Sequence, residues 1–432
     1  MWLPRAGTGA CPYPTMRHFQ HNAAILACLL LILGGCENRR FATSTIQMDI
    51  EPRFWVRVLL LSEAKTCTLR VNCPFSILNG RAESQAQAAG TRFDRAGAVT
   101  SIRLTKGRIS IAGQTFDSPD LIVLPDDPYI FNLNGMDYRG KLRLIVSPDG
   151  ESFDAINLVP PEPYLAGVVG AEMPDYWEID ALEAQAVAAR TYCFYIKKRF
   201  GATRNWDLKQ TAASQVYRGV SAESAQVWQA VNQTKGQVLV CRQPDGTEDI
   251  FPAYYSSTCG GHTENSKNVF GDSFEPLAGV PCPYCRDVAK PKYFFWPMIQ
   301  LYKDDVASKL SQRYPVLRRL GKITSLRVAA ESDYGQFARL TKIKLLNAAG
   351  KSDFIRAEDF RLTVDPTGLK FRSTICQIVD WHDKWAFLSG RGWGHGVGMC
   401  QCGAEGMARQ GNTKKQILTY YYPGSRISTI DY

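Results

Sequence analysis

The body of this sequence has no apolar run long enough to cross a bilayer as a helix, no block of basic residues and no internal repeat. These absences exclude a helical membrane domain, a polybasic arm and a solenoid. Also missing are a Gly-x-Ser-x-Gly elbow, the cysteine signature of a thiol protease and a phosphate loop ending in Gly-Lys-Ser/Thr. The common nucleophilic and nucleotide chemistries therefore have no carrier. What is present is ordinary in bulk: 432 residues, 45% hydrophobic and 21% charged, enough for two or three domains with a substantial core. The formal charge of +10 suits a polyanion such as nucleic acid, anionic lipid or a cell-wall polymer, but without a cluster it reads as a generally basic surface.

Along the chain, Glu37 to about Gln47 is a polar tether, and Phe54–Leu61 opens a series of strand-like runs that predict a β-rich region to about residue 135. Ser101–Leu104, Arg108–Ile111 and Tyr138–Val146 are further strands. The segment from 136 to 432 mixes classes, with a second helix predicted at Ser221–Thr234, a basic helical piece at 300–317, and paired strands Thr324–Val328 and Leu340–Leu346 inside a β-rich insertion at about 318–387. Two short helices, Ala404–Arg409 and Thr413–Tyr422, close the chain. The fold class is α+β: a mixed α/β core with a β-rich N-terminal region and a β-rich insertion.

The stretch Val168-Val169-Gly170-Ala171-Glu172-Met173-Pro174 carries a lone carboxylate between an apolar run and a proline, where a strand is expected to end at a cleft. A long helix follows from about Asp180 to Lys198, since Leu182, Ala186, Ala189, Cys193 and Ile196 recur at helical spacing. Asp180 and Glu183 form a capping-box pattern, which makes Glu183 structural. Three polar clusters accompany Glu172: Ser214–Gly219, Tyr255–Asn265, and the loop Gly390–Met399, whose five alternating glycines permit close approach of a ligand or another strand. One carboxylate with hydroxyls, an amide and histidines suits general acid/base work on a hydroxyl-rich substrate.

Residues 136 to 430 resemble the stage II sporulation protein D, or amidase-enhancer, family. The resemblance is carried by Ala171-Glu172-Met173-Pro174, Leu182 to Tyr192, Gln215-Val216-Tyr217, Ser257 to Glu264 and Gly392 to Met399. It implies a peptidoglycan lytic transglycosylase acting on amidase-denuded glycan, cleaving between N-acetylmuramic acid and N-acetylglucosamine to leave 1,6-anhydro ends. Glu172 is then the general acid/base, and no cofactor is needed for catalysis. Arg190 is expected either to hold a substrate carboxylate or to pair with a structural acid, and Gln215, Tyr217, Ser257, His262, His395 and Gln401 are candidate sugar contacts. The implied partners are glycan strands and a cell-wall amidase, with no nucleic acid; the alternative is a non-catalytic peptidoglycan-binding enhancer of an amidase. The chain departs from the family at Glu183, where many relatives have Lys, and at Cys400-Gln401-Cys402.

Cysteine is abundant, with 13 residues. Cys259-x-x-His262 and Cys282-x-x-Cys285 have the types and spacing of a structural zinc site, as an alternative to a disulfide between Cys259 and Cys282 or Cys285 that leaves His262 for substrate. Four protein ligands would leave no open position for catalytic water. Cys67 and Cys73 are spaced to bridge a hairpin, and Cys193 and Cys376 read as buried small residues. At the N-terminus, Met16-Arg17-His18, the run Ala23–Leu33 and Gly34-Gly35-Cys36 resemble a bacterial lipoprotein signal. Residues 1–36 are thus expected to be a signal segment starting at Met16, with Cys36 lipidated and the protein exported to the cell envelope or periplasm on a membrane anchor; ordinary secretion is the alternative.

Overall fold

The computed structural model describes residues 54–80, 90–94 and 97–432, all within the compact unit Met48–Tyr432. The expected signal segment, its Cys36 and the expected tether lie outside the described residues. The fold is mixed α+β, and no described helix is long and apolar enough to cross a membrane.

Strands occupy the described chain from Val56 to Val159, beyond residue 135, and build a seven-stranded and a six-stranded sheet. The run at 138–146 is not one strand. Met136–Arg139 pairs in the six-stranded sheet and Lys141–Val146 in the seven-stranded one, the chain changing sheets at Gly140. There φ is +98°, and a Cβ would lie 2.1 Å from the Leu158 carbonyl oxygen, so glycine is required. Alternate side chains of both sheets, Val58, Ile77, Ile102, Phe131 and Leu142 among them, enter one core. Cys67 and Cys73 do not bridge: Cys67 is buried in that core, whereas the Cys73 thiol meets the Asp126 carbonyl oxygen at 3.3 Å. Cys193 and Cys376 are buried, as their surroundings in sequence imply.

The last of these strands, Phe153–Val159, runs into helix α1, Pro161–Glu172. Here the sequence reading needs correction, because Val168-Val169-Gly170 is helix and not the end of a strand. Proline is tolerated in a first turn, whose N–H groups have no helical partner, so Pro161 and Pro163 start the helix. Pro174 stops it by forcing Met173 into extended backbone, at φ −130° and ψ 145°. Burial outweighs the weak helical preference of the valine pair: both are fully buried, and a Cβ on Gly170 would stand 1.9 Å from the Ala222 carbonyl oxygen.

Helix α2, Ile179–Phe200, follows the predicted span and packs through Ala181, Ala184, Ala188 and Ala189. The expected capping box is not formed. Glu178 is the N-cap without a side-chain bond, Asp180 accepts from the Lys414 amide at 2.8 Å, and Glu183 pairs with the Lys414 ammonium at 2.8 Å. Both acids tie α2 to the C-terminal part of the chain, so Glu183 remains structural by another route. Helix α3 is Ala225–Gln233, shorter than predicted because Ser224 caps it by accepting from Val227 N and a 3-10 turn occupies Gly219–Ala222.

A second core draws on residues from Trp296 to Phe387, including Val306, Leu310, Phe360 and Trp385. Its antiparallel sheet joins Ile323–Asp333, Ala338–Asn347 and Ser352–Arg356, and its helices are Lys303–Arg313 and Ala357–Val364. The chain then returns to the main core through the helices Gln401–Arg409 and Lys414–Tyr421, the latter opened by a Thr413/Gln416 capping box.

Arg190 belongs to this framework. Its guanidinium is fully buried, 2.7 Å from Glu162 in the first turn of α1, and also donates to the Gln237 carbonyl oxygen at 3.1 Å. Removing one member of a buried pair leaves an uncompensated charge, so Arg190→Ala is expected to cost about 3–5 kcal/mol in urea unfolding. A loss under 1 kcal/mol would contradict a structural role of this weight.

Candidate active site

Glu172 is the last residue of α1, so its carboxyl sits beside carbonyl groups that carry the negative end of the helix dipole. Part of the side chain reaches solvent. Oε1 accepts from the Val216 amide at 2.7 Å. Burial raises its pKa from 4.5 to about 7, opposed by the Val216 amide, a hydrogen bond with Gln401 and the charge of Arg218. The charged neighbour acting on it is therefore a cation, and the described residues bring no second carboxylate to it.

Gln401 reaches Glu172 because it begins the Gln401–Arg409 helix directly after a short parallel pairing of Tyr255-Ser256 with Met399-Cys400. That register carries Ser257 to the level of Gln401, and Ser257 is partly exposed. Glu172 and Gln401 thus meet from widely separated segments, with Ser257 at the level of Gln401. Tyr255 joins them, since the charge of Glu172 acts on its phenol.

The other proposed sugar contacts are occupied elsewhere. Gln215 is buried; its amide donates to the Ala189 carbonyl oxygen at 3.2 Å and the Tyr255 hydroxyl at 2.9 Å, and it accepts from Tyr164 at 2.9 Å. Its role is to hold the segment whose next amide, Val216, meets Glu172. Tyr217 is buried, with its hydroxyl on Asn157 Oδ1 at 2.9 Å and its ring against Tyr138 and Tyr164. Arg190 is committed to Glu162. The His395 Nδ1 accepts from Val397 N at 3.0 Å, and burial lowers its pKa to about 4, so it is neutral at pH 7. Sequence singled out these residues by type and motif, which do not distinguish a polar group that meets a ligand from one spent inside the fold. Arg218 was passed over, although it lies in a polar cluster, is exposed and acts on Glu172 by its charge.

The glycine loop serves approach of protein, not ligand. A Cβ on Gly398 would lie 1.9 Å from the Tyr254 carbonyl oxygen, and one on Gly396 2.6 Å from the Arg339 guanidinium. Arg339, fully buried, extends from the insertion to donate to the Cys259 carbonyl oxygen at 2.6 Å and lies 3.8 Å from buried Glu264.

The cysteine cluster also differs from its sequence reading. Cys259, Cys282 and Cys285 converge, but their fourth neighbour is Cys400; the four sulfurs lie within 4.8 Å of one another. His262 is not in this group; its Nδ1 bonds to the Thr263 carbonyl oxygen at 2.7 Å and its ring stacks on Tyr334 at 4.0 Å. Gly260 and Gly261, at φ +84° and +120°, redirect the backbone between Cys259 and His262.

Because the folded pKa of Glu172 exceeds its unfolded value, its stabilising contribution is present below about 4.5 and is lost as pH rises through about 7. Glu172→Gln cannot ionise. Its stability relative to wild type is expected to rise between pH 5 and 8.5, by at most about 3 kcal/mol at about 1.4 kcal/mol per pKa unit and less for the solvent-exposed part. Urea midpoints of both proteins at the two pH values check this; a constant difference would mean an unshifted carboxyl.

A family model, stage II sporulation protein, matches residues 149–241. The chain is 31% identical over 382 residues to an uncharacterised protein of Brachyspira hyodysenteriae, covering 87% of this chain and 93% of that one. It is 30% identical over 298 residues to stage II sporulation protein D of Bacillus subtilis, 64% of this chain and 77% of that protein. With the amidase enhancer of Bacillus subtilis it shares 26% identity over 370 residues, 77% of this chain and only 50% of the relative. The matched segment 149–241 contains α1 with Glu172, α2 and the Val216 loop, and the chain belongs to the stage II sporulation protein D and amidase-enhancer family.

Proposed function

We propose that the protein is a peptidoglycan lytic transglycosylase in which Glu172 is both general acid and general base. A role connected with the cell wall goes with the family. The observation that carries the finer reading is a lone carboxyl with its pKa raised to about 7, whose charged neighbour is the cation Arg218. Glycosidases that use water or a covalent intermediate work with a pair of carboxylates. A reaction closed by the sugar's own hydroxyl needs one group that gives a proton and takes one back.

The steps balance without water. With Oε1 engaged by the Val216 amide, the proton sits on Oε2 and passes to the oxygen linking N-acetylmuramic acid to N-acetylglucosamine. The bond from C1 to that oxygen breaks as positive charge grows on the ring. The C6 hydroxyl of the same sugar attacks C1, and its proton returns to Glu172. The new C1–O6 bond is the 1,6-anhydro bridge. A pKa of about 7 suits both halves, since proton donor and acceptor are then of nearly equal availability at neutral pH. Arg218, exposed and acting on Glu172 by its charge, takes the role that Arg190 is too buried to fill: pairing with the lactyl carboxylate that amidase action uncovers. Lipidation at Cys36 would hold this chemistry outside the membrane.

Mass spectrometry of products from amidase-treated peptidoglycan tests the reading. Wild type should release anhydro-ended saccharides, with kcat/KM falling above an apparent pKa near 7 as the acid deprotonates. Glu172→Gln should lose on the order of 10²–10⁴-fold. Binding without cleavage by wild type would favour an amidase enhancer, the name carried by one relative. Arg218→Ala should raise KM about tenfold on denuded glycan, the loss of an exposed charge-assisted contact, and have no such effect on glycan that keeps its stem peptides.

A further inference from the structure

We propose that Cys259, Cys282, Cys285 and Cys400 bind one zinc ion in a closed tetrahedral site. This does not depend on the reaction assigned to Glu172. All four cysteines are buried, and their sulfurs lie within 4.8 Å of one another. The Cys259 and Cys285 sulfurs are 3.8 Å apart. Two thiolates at about 2.3 Å from zinc, at the tetrahedral angle, stand about 3.8 Å apart. A disulfide requires about 2.05 Å, so this pair has the spacing of co-ligands and not of a bridge. An iron–sulfur cluster spreads its thiolates over two or more irons, a wider span than one compact group of sulfurs provides.

The surroundings fit thiolates. The Cys259 amide donates to the Cys400 sulfur at 3.2 Å, and the Tyr421 hydroxyl lies 3.1 Å from the Cys282 sulfur. Such donors offset the negative charge that four thiolates place around a divalent ion. Gly403 leaves room for them, since a Cβ there would be 2.6 Å from the Cys282 sulfur and 1.9 Å from the Tyr421 oxygen. Cys402 stands outside the group, accepting from the Thr258 hydroxyl at 3.2 Å. Four protein ligands fill the coordination sphere, so the ion holds structure and activates no water. What it holds is specific: the turn after Ser257, the Cys282–Cys285 segment and the residue immediately before Gln401.

The test is elemental analysis of the untagged full chain, purified without added metal, with intact mass and thiol alkylation on the same sample. About one zinc per chain is expected, with Cys259, Cys282, Cys285 and Cys400, located by peptide mapping, gaining reactivity toward alkylation when a chelator is added. Cys282→Ser and Cys400→Ser should lose the zinc, whereas Cys402→Ser and His262→Ala should keep it. Stoichiometric iron, absence of metal, a mass lowered by the hydrogens of a disulfide, or loss of zinc in His262→Ala would each overturn the proposal. Should the ligand variants fail to fold, the wild-type metal content and alkylation pattern decide alone.

Discussion

Where α1 stops determines where the Glu172 carboxyl stands. Pro174 makes the residue before it extended, and this leaves Glu172 on the last helical turn with the carbonyl ends of α1 beside it. One residue earlier, at Ala171, the side chain would be turned by about 100° around the helix axis and away from Val216. The packing around the helix serves the same end: Gly170 allows the Gly219–Ala222 turn against α1, and that turn follows directly on the Val216 segment. The carboxyl is held by one amide, one glutamine and little else that could ionise.

This arrangement joins two demands that usually compete. A group that donates a proton at neutral pH must be kept from water, yet it must also reach a substrate. In the role proposed for it, Glu172 meets both by position, since burial raises its pKa while part of the residue reaches solvent. His395 illustrates the other sign of the same effect, desolvation keeping an imidazole neutral while its ring packs edge-on against Phe270.

Sequence carried the helical period of α2 and the paired strands of the insertion, because each rests on local spacing, and it singled out Glu172 by its motif. It mistook α1, where two valines and two glycines imitate a strand and only burial on all sides decides for helix. It treated Asp180 and Glu183 as a cap, although both face the Thr413–Tyr421 region more than 200 residues away, a relation that no local pattern encodes. The cysteine group was three-quarters legible for the same reason. Cys282 and Cys285 announce themselves by spacing, while Cys400 arrives through the parallel pairing of Ser256 with Cys400.

The reach of Arg339 into the main core bears on how the insertion can be inherited or exchanged. Buried Glu264 has its oxygens satisfied partly by the insertion's Ser332 and Tyr334, with Arg339 as counter-charge. The insertion has a core of its own and looks like a cassette, but it is keyed to its host. A shorter loop in its place would have to bring a cation of its own or find the host's acid already replaced, so length and residue 264 should change together across a lineage.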